Sequence, residues 1–532
     1  MNALPEKVEI FCATSGFPSA RLRWPDGVIR LLHSAEAPER ESEELALPDI
    51  WAKVLICLGT GLGYHLHTLL KHPNPLLIVL CEAWPELLGY VAGQLEGSGH
   101  TVIALNPRDA LSFQAGLAQI PSGVSLQWLR HPASYRMQKN IFEPLEQQIL
   151  ARILPHKSTR TLSRTLLLHG QHFLQEEIYN GLLELGKPVQ QLAYDDSDGY
   201  GIWESKILRA IQEFRPDQIL SVNMKGIDPE GVLLSLAAGM GVAVHVWFVD
   251  DPRPIALAQA ASQFPLMHAW CWERAYLPWL RQKGFIDPQW LPLAGDPHLF
   301  NAPASPIAQY RYDLVFTGSS MGDEYLAKIK RSFLWDERLA PLVELRAEEY
   351  LRGACTQENL LDELALPFQD ERNLTWLICL IQHTASFKKR VRYLSPLVDQ
   401  GLVCAGDSGG WKKVFGVKAQ TLADINYRSG LALHYQSCRV NLNLTSCQMP
   451  QTVNQRVFDV PLSGSFLLTD QQQDLSELFD PSELATFSSP GELLDKSAWF
   501  LSHADERERI SAAARKRILG EHTYAHRLKK IC

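Results

Sequence analysis

Arg456 and Asp459 stand three residues apart in Arg456-Val-Phe-Asp459, after the polar run Gln448 to Asn454 and before Ser463-Gly464. A guanidinium can grip a phosphate with two parallel hydrogen bonds. A carboxylate one helical turn on can accept from a ribose diol. Backbone N–H groups at a helix start add to the attraction for phosphate. Together they equip a site for a nucleoside diphosphate. The same two residues also fit an exposed i,i+3 ion pair, which contributes only tenths of a kcal/mol. Other carriers of chemistry are scattered. Asp250-Asp251 precede Pro252, and Asp before Pro commonly caps a helix, so one of the two is expected to cap. His169, His172 and Asn223 sit near the ends of apolar runs, where a histidine is more often hydrogen-bonded than catalytic. Gly59, Gly61 and Gly63 with Glu82 would suit S-adenosylmethionine, although a glycine-rich turn alone is a weak signal.

These residues need strands and loops to hold them. Val440 to Leu444 reads as a strand, Gln448 to Asn454 as its exit loop and Arg456 to Leu462 as a short helix. Ser463-Gly464 stops that helix, and Ser465 to Leu468 reads as the next strand. Tyr312 to Thr317 is a strand running into the small turn Thr317-Gly318-Ser319, and Leu402 to Gly406 is another with a Gly-rich exit. Residues 334–400 read as largely helical. Upstream, strand and helix alternate: Thr165 to Leu168, Val189 to Tyr194, Gln218 to Val222, Val242 to Val249 and Met267 to Trp272 are strands. Such alternation predicts doubly wound parallel sheets, whose ligands lie beyond the carboxyl ends of the strands. Near the amino end, Lys53 to Leu58 runs into the glycine turn and Leu76 to Glu82 follows, a Rossmann-like βαβ start. Before it, Val8 to Ala13 is a strand and Arg21 to Gly27 a hairpin.

At 532 residues the chain exceeds one core, and three domains are expected. Hydrophobic residues at 46% and charged ones at 21% describe an ordinary globular protein. A net charge of −8 argues against nucleic acid as the main partner, although Lys388-Lys-Arg390 with Arg392 offers a local basic face. The ten cysteines show no C-x-x-C pair and read as buried thiols in a reducing compartment. There is no signal h-region and no run of about eighteen apolar residues. A cytoplasmic protein without an integral membrane segment is expected.

The order of residues adds a resemblance. Asp459-Val-Pro-Leu-Ser-Gly464 is similar to the donor-binding segment of retaining GT-B glycosyltransferases, where an acid stands five before a glycine. Arg456-Val-Phe-Asp459…Gly464-Ser-Phe-Leu-Leu-Thr-Asp470 resembles the R-x-F-E…G-x-x-L-T-D segment of the spore-maturation (CgeB-type) enzymes. Trp247-Phe-Val-Asp-Asp-Pro252 and Leu291-Pro-Leu-Ala-Gly-Asp-Pro-His-Leu-Phe300 continue that likeness. Two departures stand out: Asp459 replaces the usual Glu, and Gln451 occupies the first position of the E-x7-E pair. His33-Ser34, Pro38 and Glu41, followed by Gly59-Thr-Gly-Leu-Gly-Tyr-His65, resemble the amino-terminal part of the motility-associated (Maf) flagellin glycosyltransferases.

The resemblance implies an α/β chain: a GT-B-like pair of doubly wound Rossmann-like domains plus an amino-terminal Rossmann-like accessory domain. The expected boundaries are 1–155 (accessory), 156–305 (acceptor side) and 306–532 (donor side). It implies a hexosyltransferase-type enzyme that retains configuration and needs no cofactor, its co-substrate a nucleotide-diphosphate sugar, UDP-sugar first. Donor-binding candidates are Thr317, Gly318, Ser319, Gly406, Gln451, Asn454, Arg456, Asp459 and Gly464. On the acceptor side they are His172, Asn223 and Asp250. Catalytic candidates are Arg456, Asp250, Asp251 and His169, with either aspartate serving as base if the enzyme inverts. The last domain has no D-x-D, so no metal is expected. The acceptor is expected to be a protein, flagellin Ser/Thr hydroxyls first, or a glycan. Two alternatives remain: a methyltransferase working through the first domain, and a non-catalytic sugar-nucleotide binder.

Overall fold

The computed structural model describes residues 5–44, 50–153, 163–170, 174–195, 200–229, 231–301, 310–365 and 370–532. His172 and both expected domain boundaries lie outside them. The chain forms two compact units: residues 1–170, 190–219 and 226–244 make one, and residues 171–189, 220–225 and 245–532 the other.

The first unit opens with an antiparallel sheet of β1 (Lys7–Cys12), β2 (Pro18–Arg23) and β3 (Ile29–Leu31). Trp24 and Gly27 close the predicted hairpin, Gly27 N donating to Trp24 O at 2.9 Å. A parallel sheet follows, of β4 (Val54–Leu58), β5 (Leu77–Cys81), β6 (Thr101–Leu105) and β7 (Leu126–Arg130), in the order β6-β5-β4-β7. Every residue of β4 is buried, as a continuous apolar run in a parallel sheet requires.

A second sheet contains β8 (Thr165–His169), β9 (Val189–Ala193), β10 (Gln218–Val222), β11 (Ala243–Phe248), β12 (His268–Cys271) and β13 (Ile286–Trp290). Its order is β13-β12-β11-β10-β8-β9. The order turns back at the first strand, the doubly wound pattern of flavodoxin-like sheets.

The third sheet lies wholly in the second unit. It contains β14 (Tyr312–Thr317), β15 (Val403–Ala405), β16 (Gln420–Leu422), β17 (Cys438–Asn443), β18 (Leu467–Asp470) and β19 (Ala485–Phe487), all parallel. The order β16-β15-β14-β17-β18-β19 is the dinucleotide-fold order, which reverses between β14 and β17. Leu314, Phe316, Cys404, Val440, Leu442 and Leu468 form its apolar core with Leu493 and Phe500 of later helices. Between β14 and β15 the chain inserts helices Ala340–Leu351, Gln357–Ala365 and Glu371–Val398, which bury Val343, Ala347, Leu360, Leu377 and Ile381 together. The last of these spans 28 residues, about 42 Å at 1.5 Å per residue. The short helix Arg456–Leu462 ends at Ser463, with Gly464 at φ +78°, the helix stop read from the sequence.

Candidate functional site

The reversal point between β14 and β17 is where a ligand crevice is expected. The turn Thr317-Gly318-Ser319 leaves β14 there, and it is tied down from several sides. Gly318 N donates to Ala405 O (2.8 Å), Trp411 Nε1 donates to Gly318 O (2.9 Å) and Thr317 Oγ1 meets His434 Nε2 at 3.2 Å. Asp407 accepts from Ser320 N (2.9 Å), Ser320 Oγ and Ser319 Oγ (3.4 Å). Despite burial, these bonds hold its carboxyl below the usual range. Gly406 stands beside the same turn: a side chain there would meet Gly318 carbonyl atoms at 3.6 Å.

Two guanidiniums converge on this turn. Arg456 Nη2 lies 2.8 Å from where a Cβ on Gly318 would sit, so glycine admits the arginine. Its Nη1 reaches Asn443 Oδ1 at 3.4 Å, at the end of β17. Arg390, on the long helix, donates from Nη1 to Ser319 O at 2.6 Å. Among the described residues neither arginine forms an ion pair. Burial, then the charge of Arg456, brings Arg390 down to about 10. Two cations held together with no ion-pair partner among the described residues would suit a multiply charged anion.

The residues 388–392 correct the expectation of a basic face. Lys388 pairs with Glu344 (2.8 Å), Lys389 with Asp470 (2.7 Å) and Arg392 with Glu348 (2.9 Å), while Arg390 alone turns into the crevice. The sequence reading missed its role, because a helix sends adjacent residues to different faces.

The loop after β17 is fixed by other acids. Asp470 accepts from Thr445 N (3.0 Å) and Lys389. Glu273, fully buried and raised by that burial, accepts from the backbone N–H groups of Gln451 and Thr452, both at 3.0 Å. Asn454 Nδ2 donates to Asn443 Oδ1 (2.8 Å), while its own Oδ1 is buried without a partner. Gln451 and Asn454 are thus held near Arg456 on one ordered loop.

Asp459 overturns the surface-pair reading. It is 1% exposed, and its oxygens take Gln455 Nε2 (2.8 Å) and the Tyr427 hydroxyl (3.5 Å) rather than Arg456. Burial raises it well above an ordinary carboxylate. Glu177 stands on the other side of Tyr427, raised by burial to about 7. Like charges in one dry pocket reinforce this.

The aspartate pair divides as expected of a helix start. Asp251 caps the helix Pro252–Ala256, accepting from Arg253 N (3.0 Å), and binds Arg253 Nε at 2.9 Å. Both of these residues are buried, and Arg253 Nη2 continues to Gln382 Oε1 (3.1 Å). Asp251 is therefore occupied structurally, which removes it as a base. Asp250 is exposed and accepts from Asn223 Nδ2 at 2.8 Å. Asn223 adopts φ +51° and also accepts from Val249 N at 2.9 Å, so its left-handed backbone aims the amide at Asp250. His169 ends β8 in the other unit, and the described contact there is its carbonyl accepting from Tyr194 N.

The glycine turn of the first unit is filled by protein. A Cβ on Gly61 would lie 2.4 Å from His33 Nε2, and one on Gly59 would lie 2.4 Å from Ser134 Cβ. Glu82 is fully buried, accepting from Thr60 N and Ala83 N at 2.8 Å each. It stabilises its own turn and is not open to a ribose, so the methyltransferase reading loses its site.

Beside that turn, His33, Glu41 and His131 approach as metal ligands would. The backbone assigns the protons otherwise. Leu62 N donates to His33 Nε2 (2.8 Å) and Ser134 N to His131 Nδ1 (3.2 Å), so each neutral ring carries its proton on the nitrogen facing Glu41. Burial pushes Glu41 up, but the two histidine bonds outweigh it and hold the carboxyl at about 2. The set is a carboxylate clasped by two N–H donors and does not fit a cation.

Residues 388–532 match the family model described as glycosyl transferase-like, and residues 26–91 match that of the glycosyltransferase Maf N-terminal domain. These matches mark the chain as a glycosyltransferase. Among solved structures, sucrose-phosphate synthase of Thermosynechococcus elongatus is 10% identical over 69% of this chain and 98% of its own, with a TM-score of 0.40. The Anabaena protein HepE in complex with UDP is 11% identical over 69% and 98%, TM-score 0.39. T4 phage β-glucosyltransferase is 10% identical over 69% and 96%, TM-score 0.36. No curated protein matches the chain. Among the described residues no helix is long and apolar enough to cross a membrane.

Proposed function

We propose that this protein transfers a sugar from a UDP-sugar to an acceptor hydroxyl. The observation that carries this reading is the convergence of Arg390 and Arg456, without an acidic partner, on the Gly318-Ser319 turn at the reversal of a parallel sheet. A diphosphate there would receive both guanidiniums and the N–H groups of the turn. Arg456, the half-buried one of the two, offsets the charge that builds as the sugar–phosphate bond breaks. Cationic side chains then supply what a divalent metal would, so the reaction is metal-independent. Asp459 is 1% exposed, so a ribose hydroxyl would reach it only by displacing Tyr427, whose hydroxyl makes the longer of its two contacts. Gln451 and Asn454 would line the sugar end of the loop.

Residues 306–532 would form the donor domain of a GT-B pair, residues 156–305 the acceptor side and residues 1–155 an accessory domain. Retention of configuration follows from the resemblance of residues 456–470 to CgeB-type enzymes, with no protein base needed. Asp250 is the base if the enzyme inverts. The Maf-like match of residues 26–91 supports a protein acceptor, flagellin Ser/Thr hydroxyls first, glycosylated in the cytoplasm. The test is a panel of nucleotide sugars followed by thermal shift and by release of free nucleotide. Stabilisation and turnover with at least one UDP-sugar are expected, and a panel without either refutes the reading.

A further inference from the structure

The helix Glu371–Val398 brings more than Arg390 to the site. His383, Ser386 and Arg390 follow i, i+3, i+7 spacing, which puts them on one face. His383 stands two turns before Arg390, about 10 Å along the axis. Ser386 is used internally, accepting from Cys447 N at 2.8 Å and meeting Ser446 Oγ at 3.0 Å.

His383 is not used in this way. Neither ring nitrogen hydrogen-bonds to any described residue, and Nδ1 is buried without a partner in a residue only 8% exposed. Nδ1 carries the cost of a buried polar atom without a partner, while Nε2, which no described residue bonds, still reaches solvent. Tyr325, itself 36% exposed, packs edge-on against it, with ring centroids 5.1 Å apart. Tyr325 belongs to the helix Asp323–Lys330 that follows the Gly318 turn. The charge of Asp250 reaches both rings. Burial lowers His383 to about 4, so at neutral pH it is an uncharged imidazole, able to donate or accept. With Nδ1 sealed, Nε2 is the atom left for a ligand.

We propose that His383 hydrogen-bonds through Nε2 to a hydroxyl of the sugar being transferred, and so positions that sugar between the Arg390–Arg456 turn and Asp250. This rests on the UDP-sugar reading above. Arg390 holds the phosphate end of the face, and the axial step to His383 is of the size a phosphate-linked monosaccharide spans.

The test compares wild type, His383→Phe and His383→Gln. Phenylalanine fills the ring volume without a polar atom, and glutamine restores an amide near Nε2. UDP affinity by titration calorimetry should stay within about twofold in all three, because the nucleotide contacts are untouched. For the UDP-sugar that wild type hydrolyses fastest among UDP-glucose, UDP-galactose and UDP-N-acetylglucosamine, kcat/KM should fall roughly tenfold in His383→Phe, one neutral hydrogen bond's worth. His383→Gln should recover part of that loss. Melting temperatures should not fall, since the replaced nitrogens bond nothing. His383→Phe with wild-type kcat/KM overturns the inference, as does a loss that glutamine leaves unrepaired. Wild type that binds no UDP overturns the underlying reading and this inference with it.

Discussion

Arg456→Ala separates function from stability more sharply than any other change at this site. The guanidinium faces Arg390 across the Gly318 turn and has no acidic partner among the described residues. A hydrogen bond from a charged group contributes about 1.5–3 kcal/mol, which is roughly ten- to a hundredfold in affinity at about 1.4 kcal/mol per decade. UDP at a hundred times the wild-type Kd should stabilise the native protein by about 2.7 kcal/mol. At the same concentration a variant weakened a hundredfold should gain only about 0.4 kcal/mol. Without ligand the variant should melt at the wild-type temperature or above, because burial and the Arg456 charge both disfavour the neighbouring Arg390 cation. The assay is a melting curve with and without UDP, beside steady-state kinetics. Because the interaction strengthens as the leaving diphosphate gains charge, kcat should fall along with kcat/KM. An unchanged UDP-induced shift, or a variant that melts early while still binding UDP, would refute the cradle.

Further outcomes are expected at other positions and under chelation. Turnover should survive EDTA, and loss of activity that Mn²⁺ restores would contradict phosphate binding by arginines alone. Asp251→Ala leaves Arg253 buried without its carboxylate, so it should cost about 3–5 kcal/mol in denaturant melts. Glu177 is protonated in the folded state up to about pH 7 and titrates near 4.5 when unfolded, so its contribution is complete below pH 4.5 and is lost as pH rises to 7. The shift corresponds to about 3 kcal/mol as an upper bound, and Glu177→Gln should flatten the stability–pH curve in that window. Gly61→Ala places a methyl against His33 at a backbone φ of +48° and should destabilise the protein by more than about 1 kcal/mol, while titration of the full chain with S-adenosylmethionine should show no binding.

Much of the fold was legible because local signals agreed with the global one. The run Lys53 to Leu58 is β-rich and apolar throughout, and β4 is buried along its whole length. Ser463-Gly464 stops a helix in the sequence and in the structure. Pro252 marked a helix start, and an aspartate before it does cap. What failed was any inference about direction. Arg456 and Asp459 share a short helix, yet one turns to the Gly318 turn and the other into a dry pocket with Tyr427 and Glu177. Their three-residue spacing suited an ion pair, and only the packing of neighbouring elements decided otherwise.

By itself the sequence determined the parallel α/β architecture, the glycosyltransferase-like carboxyl-terminal segment and the loop that carries Gln451 to Arg456. These depend on hydrophobic periodicity, on turn chemistry and on residue order, all written within short stretches of chain. The tertiary structure decided which charges meet. Arg390 lies 66 positions before Arg456 and looked like one of several surface cations. It reaches the Gly318 turn because the long helix aims that one residue into the crevice while Lys388, Lys389 and Arg392 find acids elsewhere. Glu82 and the glycines beside it looked like a cofactor cradle until His33 and Ser134 were seen to fill the space. Electrostatic and steric fit depend on distances between residues remote in the chain, and those distances exist only once the sheets and helices have packed.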